Sequence, residues 1–263
     1  MPLRAFPPWK QNHPLPDGSI SVSEAGSISV SANGLRNLTV GALQIDEIWS
    51  KVGIRQSRTT PDDQERGDFY TFLALDARTK LIVSHHTAKR DYENTDAFVA
   101  DLASRIVGRV QITTDGWTAY PDTIRHYLLD RLDYAVMQKN YDAPPAQVEA
   151  SRRYSPAPSI GVTIKTKAGN PRRDRICTSH VERANLSVRT FNRRFTRLCL
   201  GWSRKLANHR HAVALFVAAH NFVKRHSTLG TTPAVGAGLT DHVWTIAELF
   251  RAVGEYHVTT ATI

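Results

Sequence analysis

One stretch constrains this chain more than any other: Val110-Gln111-Ile112-Thr113-Thr114-Asp115-Gly116-Trp117. Its β-branched residues suit a pleated strand and Gly116 lets the chain turn, so it reads as a short buried strand that ends on a carboxylate. Trp117, Tyr120, Ile124, Tyr127 and Leu128 then recur at helical spacing. In open α/β sheets, reacting groups gather outside the carboxyl ends of strands. Asp115 stands at such an end. Taken alone, the stretch favours a simpler role for it, capping the helix that follows.

The rest of the chain supplies the sheet. Leu43-Gln44-Ile45-Asp46-Glu47-Ile48-Trp49 alternates and consists largely of β-formers, a first strand. Residues 53–67 read as a polar loop. Asp68–Leu75 and Leu81–His85 are two more strands joined by a turn at 76–80, which makes an antiparallel meander. Apolar positions at Ala97, Phe98, Leu102 and Ile106 predict a helix over 95–106. Leu132–Met137 is a fifth strand. The order β-β-β-α-β-α-β predicts a mixed α/β layer fold.

Residues 139–179 break that pattern. They hold five prolines and eight Lys or Arg, and a loop of that length is usually functional or disordered. A short strand at Gly161–Lys165 fits inside it. Two helices follow. The first has one apolar stripe (Val181, Ala184, Val188, Phe191, Phe195, Leu198), with Glu182, Asn185, Arg189 and Arg193 beside it. The second runs over 204–225, and a short helix over 245–253 closes the chain. Residues 1–34 are rich in Pro, Gly and Ser and predict extended or disordered chain, with at most a weak hairpin from Ile20, Val22, Ile28 and Val30.

Charge is concentrated. Residues 151–210 carry fifteen Lys or Arg against Asp174 and Glu182, a local net charge of +13 within a chain of net +10. The remaining 19 basic and 22 acidic residues nearly cancel. Such a segment suits a phosphate-bearing polymer; a merely solvated basic face is the plainer alternative. No apolar run reaches the ~18 residues of a membrane span, and no signal segment is visible. Cys177 and Cys199 make neither a disulfide framework nor a zinc site. The expected setting is the cytoplasm, without membrane.

Three carboxylates stand out by context. Asp46 lies mid-strand among apolar residues, Asp115 at a strand end, and Glu182 in the first turn of the helix with the basic face. A buried carboxylate needs a counter-ion, and converging oxygens suit Mg²⁺. Two such ions about 4 Å apart serve both attacking and leaving oxygens in phosphoryl transfer. Each acid also has a structural reading. Asp46 can point to solvent from an edge strand, and Glu182 can complete a Ser179-x-x-Glu182 capping box.

The blocks LQIDEIWSKV, VQITTDGWTAY, TSHVERANLSVRTFNRRFTRL and HRHAVALFVAAHNFVKRHSTLGTTPA, in that order, resemble those of DDE transposases of the insertion-sequence-one type. The resemblance runs from about residue 35 to about 250. It implies a ribonuclease-H-like fold, an antiparallel meander plus parallel strands flanked by helices, in which the first strand neighbours the fourth. It implies Asp46, Asp115 and Glu182 as a catalytic triad binding Mg²⁺ or Mn²⁺, with two ions. It implies metal-dependent DNA strand cleavage and strand transfer in transposition, on double-stranded element ends, by a homo-oligomer in a bacterial cell.

The DNA-contact candidates are Lys165, Lys167, Arg172, Arg173, Arg183, Arg189, Arg193, Arg194 and Arg197, with His180 secondary. Trp117 and Tyr154 read as packing residues before base-stacking ones, and the histidines 209, 211, 220 and 226 as surface or DNA contacts. Glu47 follows Asp46 on a strand, so its side chain is expected on the opposite face, without Asp46's role. The expected organisation is an N-terminal segment 1–34, a catalytic domain 35–250 with a basic insert at about 139–178, and a tail 251–263. The helix-turn-helix usual at the front of the family is not found in 1–34, so the expectation is a copy whose end-recognition module is missing or separately translated. A related nuclease and a non-catalytic DNA-binding remnant are the competing readings.

Overall fold

The structure, a computed structural model, describes residues 20–22, 28–30, 35–141, 159–197 and 199–252. Six strands form the central sheet: β1 (Ala42–Val52), β2 (Gly67–Asp76), β3 (Ile82–Ala88), β4 (Val110–Thr114), β5 (Leu132–Tyr141) and β6 (Ser159–Ala168). Their spatial order is β6-β5-β4-β1-β2-β3. β1, β2 and β3 are an antiparallel meander, β4 runs parallel to β1, and β5 parallel to β4. This is the ribonuclease-H-like arrangement, with the first strand beside the fourth.

Strand alternation explains the two layers. On β1, Leu43 and Ile45 point into one core, with Phe72, Val83, Phe98, Leu102, Ile112 and Ile124. That core is covered by α1 (Tyr92–Arg105) and α2 (Tyr120–Leu128). Ile48 points the other way, into a second core with Leu73, Leu75, Val181, Val188 and Val213. The helices there are α3 (Ser179–Phe191) and α4 (Leu206–Ala218). After α4 the chain winds into a π turn, Ala219–Val223. From that turn Asn221 accepts from the Ile82 N–H at 3.0 Å and donates to the Ile82 carbonyl at 2.9 Å, which closes part of the open edge of β3.

Several boundaries differ from expectation, each for a local reason. The stretch read as a basic insert is in part a long antiparallel hairpin, because β5 and β6 pair from Tyr134 to Tyr141 and from Ser159 to Ala168. Residues 142–158, with Tyr154, lie outside the described residues, as do most of 1–34 and the tail from 253. Ile20–Val22 and Ile28–Val30 do pair antiparallel. The stripe on α3 stops early. Asn192 leaves the helical region (φ −121, ψ 99) and its side chain accepts from the Arg194 N–H. Phe191 is therefore 66% exposed, whereas Phe195 is buried from a separate 3-10 turn. No helix among the described residues is long and apolar enough to cross a membrane.

Candidate metal and phosphoryl-transfer site

The site arises from a length mismatch in the sheet. β4 ends at Thr114, opposite Ile45 of β1 and Val136 of β5. β1 runs on to Val52 and β5 to Tyr141. A notch therefore opens between β1 and β5, with Asp115 at its floor and Asp46 the next residue along its wall.

Asp115 is not the cap of α2. Its Oδ1 accepts the Trp117 N–H at 2.9 Å, closing a turn, and α2 begins only at Tyr120. Asp46 accepts the Glu47 N–H on Oδ1 and the Asn185 amide on Oδ2, both at 2.9 Å. Glu47 does leave β1 on the opposite face, where its carboxylate accepts a short hydrogen bond from the Tyr120 hydroxyl. Yet carboxylate oxygens of Asp46, Glu47 and Asp115 all lie within 4.8 Å of one another. With no strand filling the notch, acids from both faces of β1 converge at its opening. Adjacency to Asp46 was the sequence signal for Glu47, and strand alternation argued against it.

The electrostatics follow from this crowding. Burial, then the charge of Asp115, raises Asp46 from 3.8 to about 7. Burial and Asp115 also raise Glu47 from 4.5 to about 8, although Arg90 and the Tyr120 hydroxyl oppose the rise. Oxygens that keep protons for want of positive charge suit a hard divalent cation, which displaces those protons. The residues thus fit a metal ion.

A sign follows for stability. Between about pH 4 and pH 8 the folded chain holds protons that the unfolded chain has released, so the metal-free protein loses stability as pH rises. The expected loss is on the order of 1 kcal/mol per pH unit. Urea unfolding in chelator from pH 5 to 8 measures it. Asp46→Asn should flatten the slope, and a wild-type midpoint independent of pH would contradict the crowding.

Glu182 stands apart from the group of three. Its Oε1 accepts from Lys139 Nζ at 2.7 Å and from the Thr178 hydroxyl at 2.8 Å. The capping box with Ser179 does not form. Glu182 is still near enough for its charge to add to the rise at Asp46. What docks its helix is Gln44, buried on β1, whose Oε1 accepts the N–H groups of His180 at 2.9 Å and Val181 at 3.1 Å.

The basic candidates divide by exposure. Lys165, Lys167, Arg172, Arg173, Arg183, Arg193 and Arg197 are exposed, with Arg172 paired to Asp174 at 2.7 Å. Arg194 is half-buried and donates to the Ser203 hydroxyl at 3.0 Å. Arg189 turns inward along the stripe of Glu182 and Asn185. Its Nε is buried without a hydrogen-bond partner; burial lowers its pKa and the Asp46 charge opposes that.

Two histidines are corrected. His209 is buried between the Ser50 and Ser203 hydroxyls, both at 2.9 Å, and His220 bonds the Lys80 carbonyl at 3.0 Å. Burial brings each down to about 4, so both are neutral core groups. Trp117 packs as expected, its indole N–H donating to Thr95 at 3.0 Å.

No protein-family model matches the chain, and no curated protein matches it. Among solved structures it is similar to piggyBac transposase, in the cryo-EM structure of its synaptic complex with hairpin DNA. The identity is 14% and the TM-score 0.33, over 86% of this chain and 55% of that one. This chain thus spans about half the length of that relative.

Proposed function

We propose that this chain is a transposase of the DDE type, carrying out divalent-cation-dependent cleavage and strand transfer on double-stranded DNA. One observation carries the reading: in a ribonuclease-H-like sheet, Asp46 and Asp115 meet at a notch where their charges are not balanced. Asp46, Asp115 and, from α3, Glu182 are the catalytic acids of this reading, and Mg²⁺ or Mn²⁺ is the cofactor, with two ions the fuller form. When bound, such a cation activates a water or a 3′-hydroxyl and stabilises the leaving oxygen. Asn185 and the Glu47 N–H orient Asp46, and the Trp117 N–H orients Asp115. Gln44 fixes the helix that presents Glu182.

Domain limits of about 35–250, action as a homo-oligomer on paired ends, and a setting in the bacterial cytoplasm belong to the same proposal. The test is incubation of duplex DNA bearing the sequences that flank the gene with Mg²⁺ or Mn²⁺. Cleaved and joined products support the reading. Cleavage without joining supports the related nuclease, which shares this site. Bound DNA with no product under any cation supports the non-catalytic remnant.

Duplex DNA is the partner that the exposed basic residues suit. Removing Arg183 and Arg193 together should weaken binding and reduce the slope of log affinity against log salt by roughly 2, at about 0.9 per phosphate contact. Titrations between low and moderate salt measure this, and an unchanged slope removes those two residues from the interface.

A further inference from the structure

Arg90 lies between β3 and α1 in no recognisable motif, yet it stands at the mouth of the notch. Its guanidinium sits 4.2 Å from the ring centroid of Trp117 and 5.5 Å from that of Tyr70. One terminal nitrogen is 2.9 Å from Glu47 Oε2 and 3.6 Å from Asp115 Oδ2. Glu47 Oε1 is taken by the Tyr120 hydroxyl. Both oxygens of Glu47 therefore face protein donors, and its side chain is only 3% exposed. Asp115 is different: its side chain is 38% exposed, and Oδ2 is beyond hydrogen-bond distance of Arg90. Arg90 itself remains 28% exposed, with a buried Nε that has no hydrogen-bond partner.

We infer that the three clustered acids divide their work: Asp46 and Asp115 face the cation, while Glu47 is a strut for Arg90, whose guanidinium contacts a phosphate oxygen of the DNA beside the cation site. The inference rests on the phosphoryl-transfer reading above and deepens it. A guanidinium suits the task because its planar fork matches phosphate and stays charged. Two rings and a buried carboxylate hold it in place before DNA arrives, so little ordering remains to be done on binding. Cation ligation by Glu47 would place the ion on an oxygen already engaged by Arg90 or by Tyr120. Asp115 offers an oxygen beyond hydrogen-bond distance of Arg90. Glu47 is thus a positioning residue, acting through Arg90.

The test compares the full chain with Glu47→Gln, Arg90→Gln, Arg90→Lys and Asp115→Asn. Two affinities are read: that for Mn²⁺, by the shift in melting temperature, and that for a duplex oligonucleotide, with Ca²⁺ and in chelator. Glu47→Gln should keep its Mn²⁺ affinity within about twofold while losing about tenfold in DNA affinity, as Arg90→Gln does, the worth of one charged hydrogen bond. Arg90→Lys should recover part of that loss, and it keeps the ion pair if Arg90→Gln fails to fold.

A Glu47→Gln protein that loses its Mn²⁺ response as Asp115→Asn does makes Glu47 a ligand and overturns the division. Arg90 variants that bind DNA like wild type reduce Arg90 to a structural tie. A wild type with no Mn²⁺ response counts against the cation reading itself. In that case the DNA affinities in chelator still decide whether Arg90 touches phosphate.

Discussion

Asp115→Asn is expected to lower cation-dependent DNA cleavage by at least about 10³-fold, or roughly 4 kcal/mol of transition-state stabilisation. The amide oxygen can still accept the Trp117 N–H, so the turn at 115–117 survives. What disappears is the charge at the floor of the notch. That same loss relieves Asp46 and Glu47, both of which Asp115 raises. The metal-free variant should therefore be more stable than wild type near pH 8, while inactive. This pairing separates a lost ligand from a damaged fold, since unfolding would lower both quantities. Nicking of supercoiled plasmid in Mn²⁺, set beside urea midpoints in chelator, measures them. A variant that cuts within tenfold of wild type would remove Asp115 from the reaction.

Gln44→Leu is expected to cost about 1–3 kcal/mol, because the N–H groups of buried Val181 and half-buried His180 at the start of α3 lose their acceptor. Leucine nearly preserves the volume, so the loss reports the polar contact rather than a cavity. The effect should reach the site as well, because α3 carries Glu182, Asn185 and Arg189. The urea midpoint measures the first effect. An unchanged midpoint would mean that water or another group takes over from Gln44.

Much of the sheet was legible because β1 and β4 carry strong local patterns, alternation in one and β-branched residues in the other. The partnership of β1 with β4 was not in those patterns and came only from resemblance. Asp46 and Asp115 were findable, since an acid inside an apolar strand and an acid at a strand end are both unusual. Glu47 was read rightly as leaving the opposite face of β1; what was missed is that its carboxylate still lies within 4.8 Å of those of Asp46 and Asp115, because alternation describes only where a side chain leaves the strand.

Arg90 had no signal, because its role comes from Trp117, Tyr70 and Glu47, which only the fold assembles. The end of α3 at Phe191 was hidden by an apolar rhythm that continues through a 3-10 turn. His209 and His220 misled because polarity was taken for exposure, when two serines and a backbone carbonyl satisfy them inside.

The placement of β1 in the middle of the sheet also has a consequence on the ribosome. Its β2 edge can be filled soon after synthesis, by a neighbour close in sequence. Its other edge waits for β4, which emerges about 60 residues later, on the order of 3–12 s at ~5–20 residues per second. During that interval a long strand with alternating apolar and polar residues offers one open side to any other nascent chain. Neighbouring copies on a polysome are then competitors for β4's place, through the same unpaired backbone that β4 later fills.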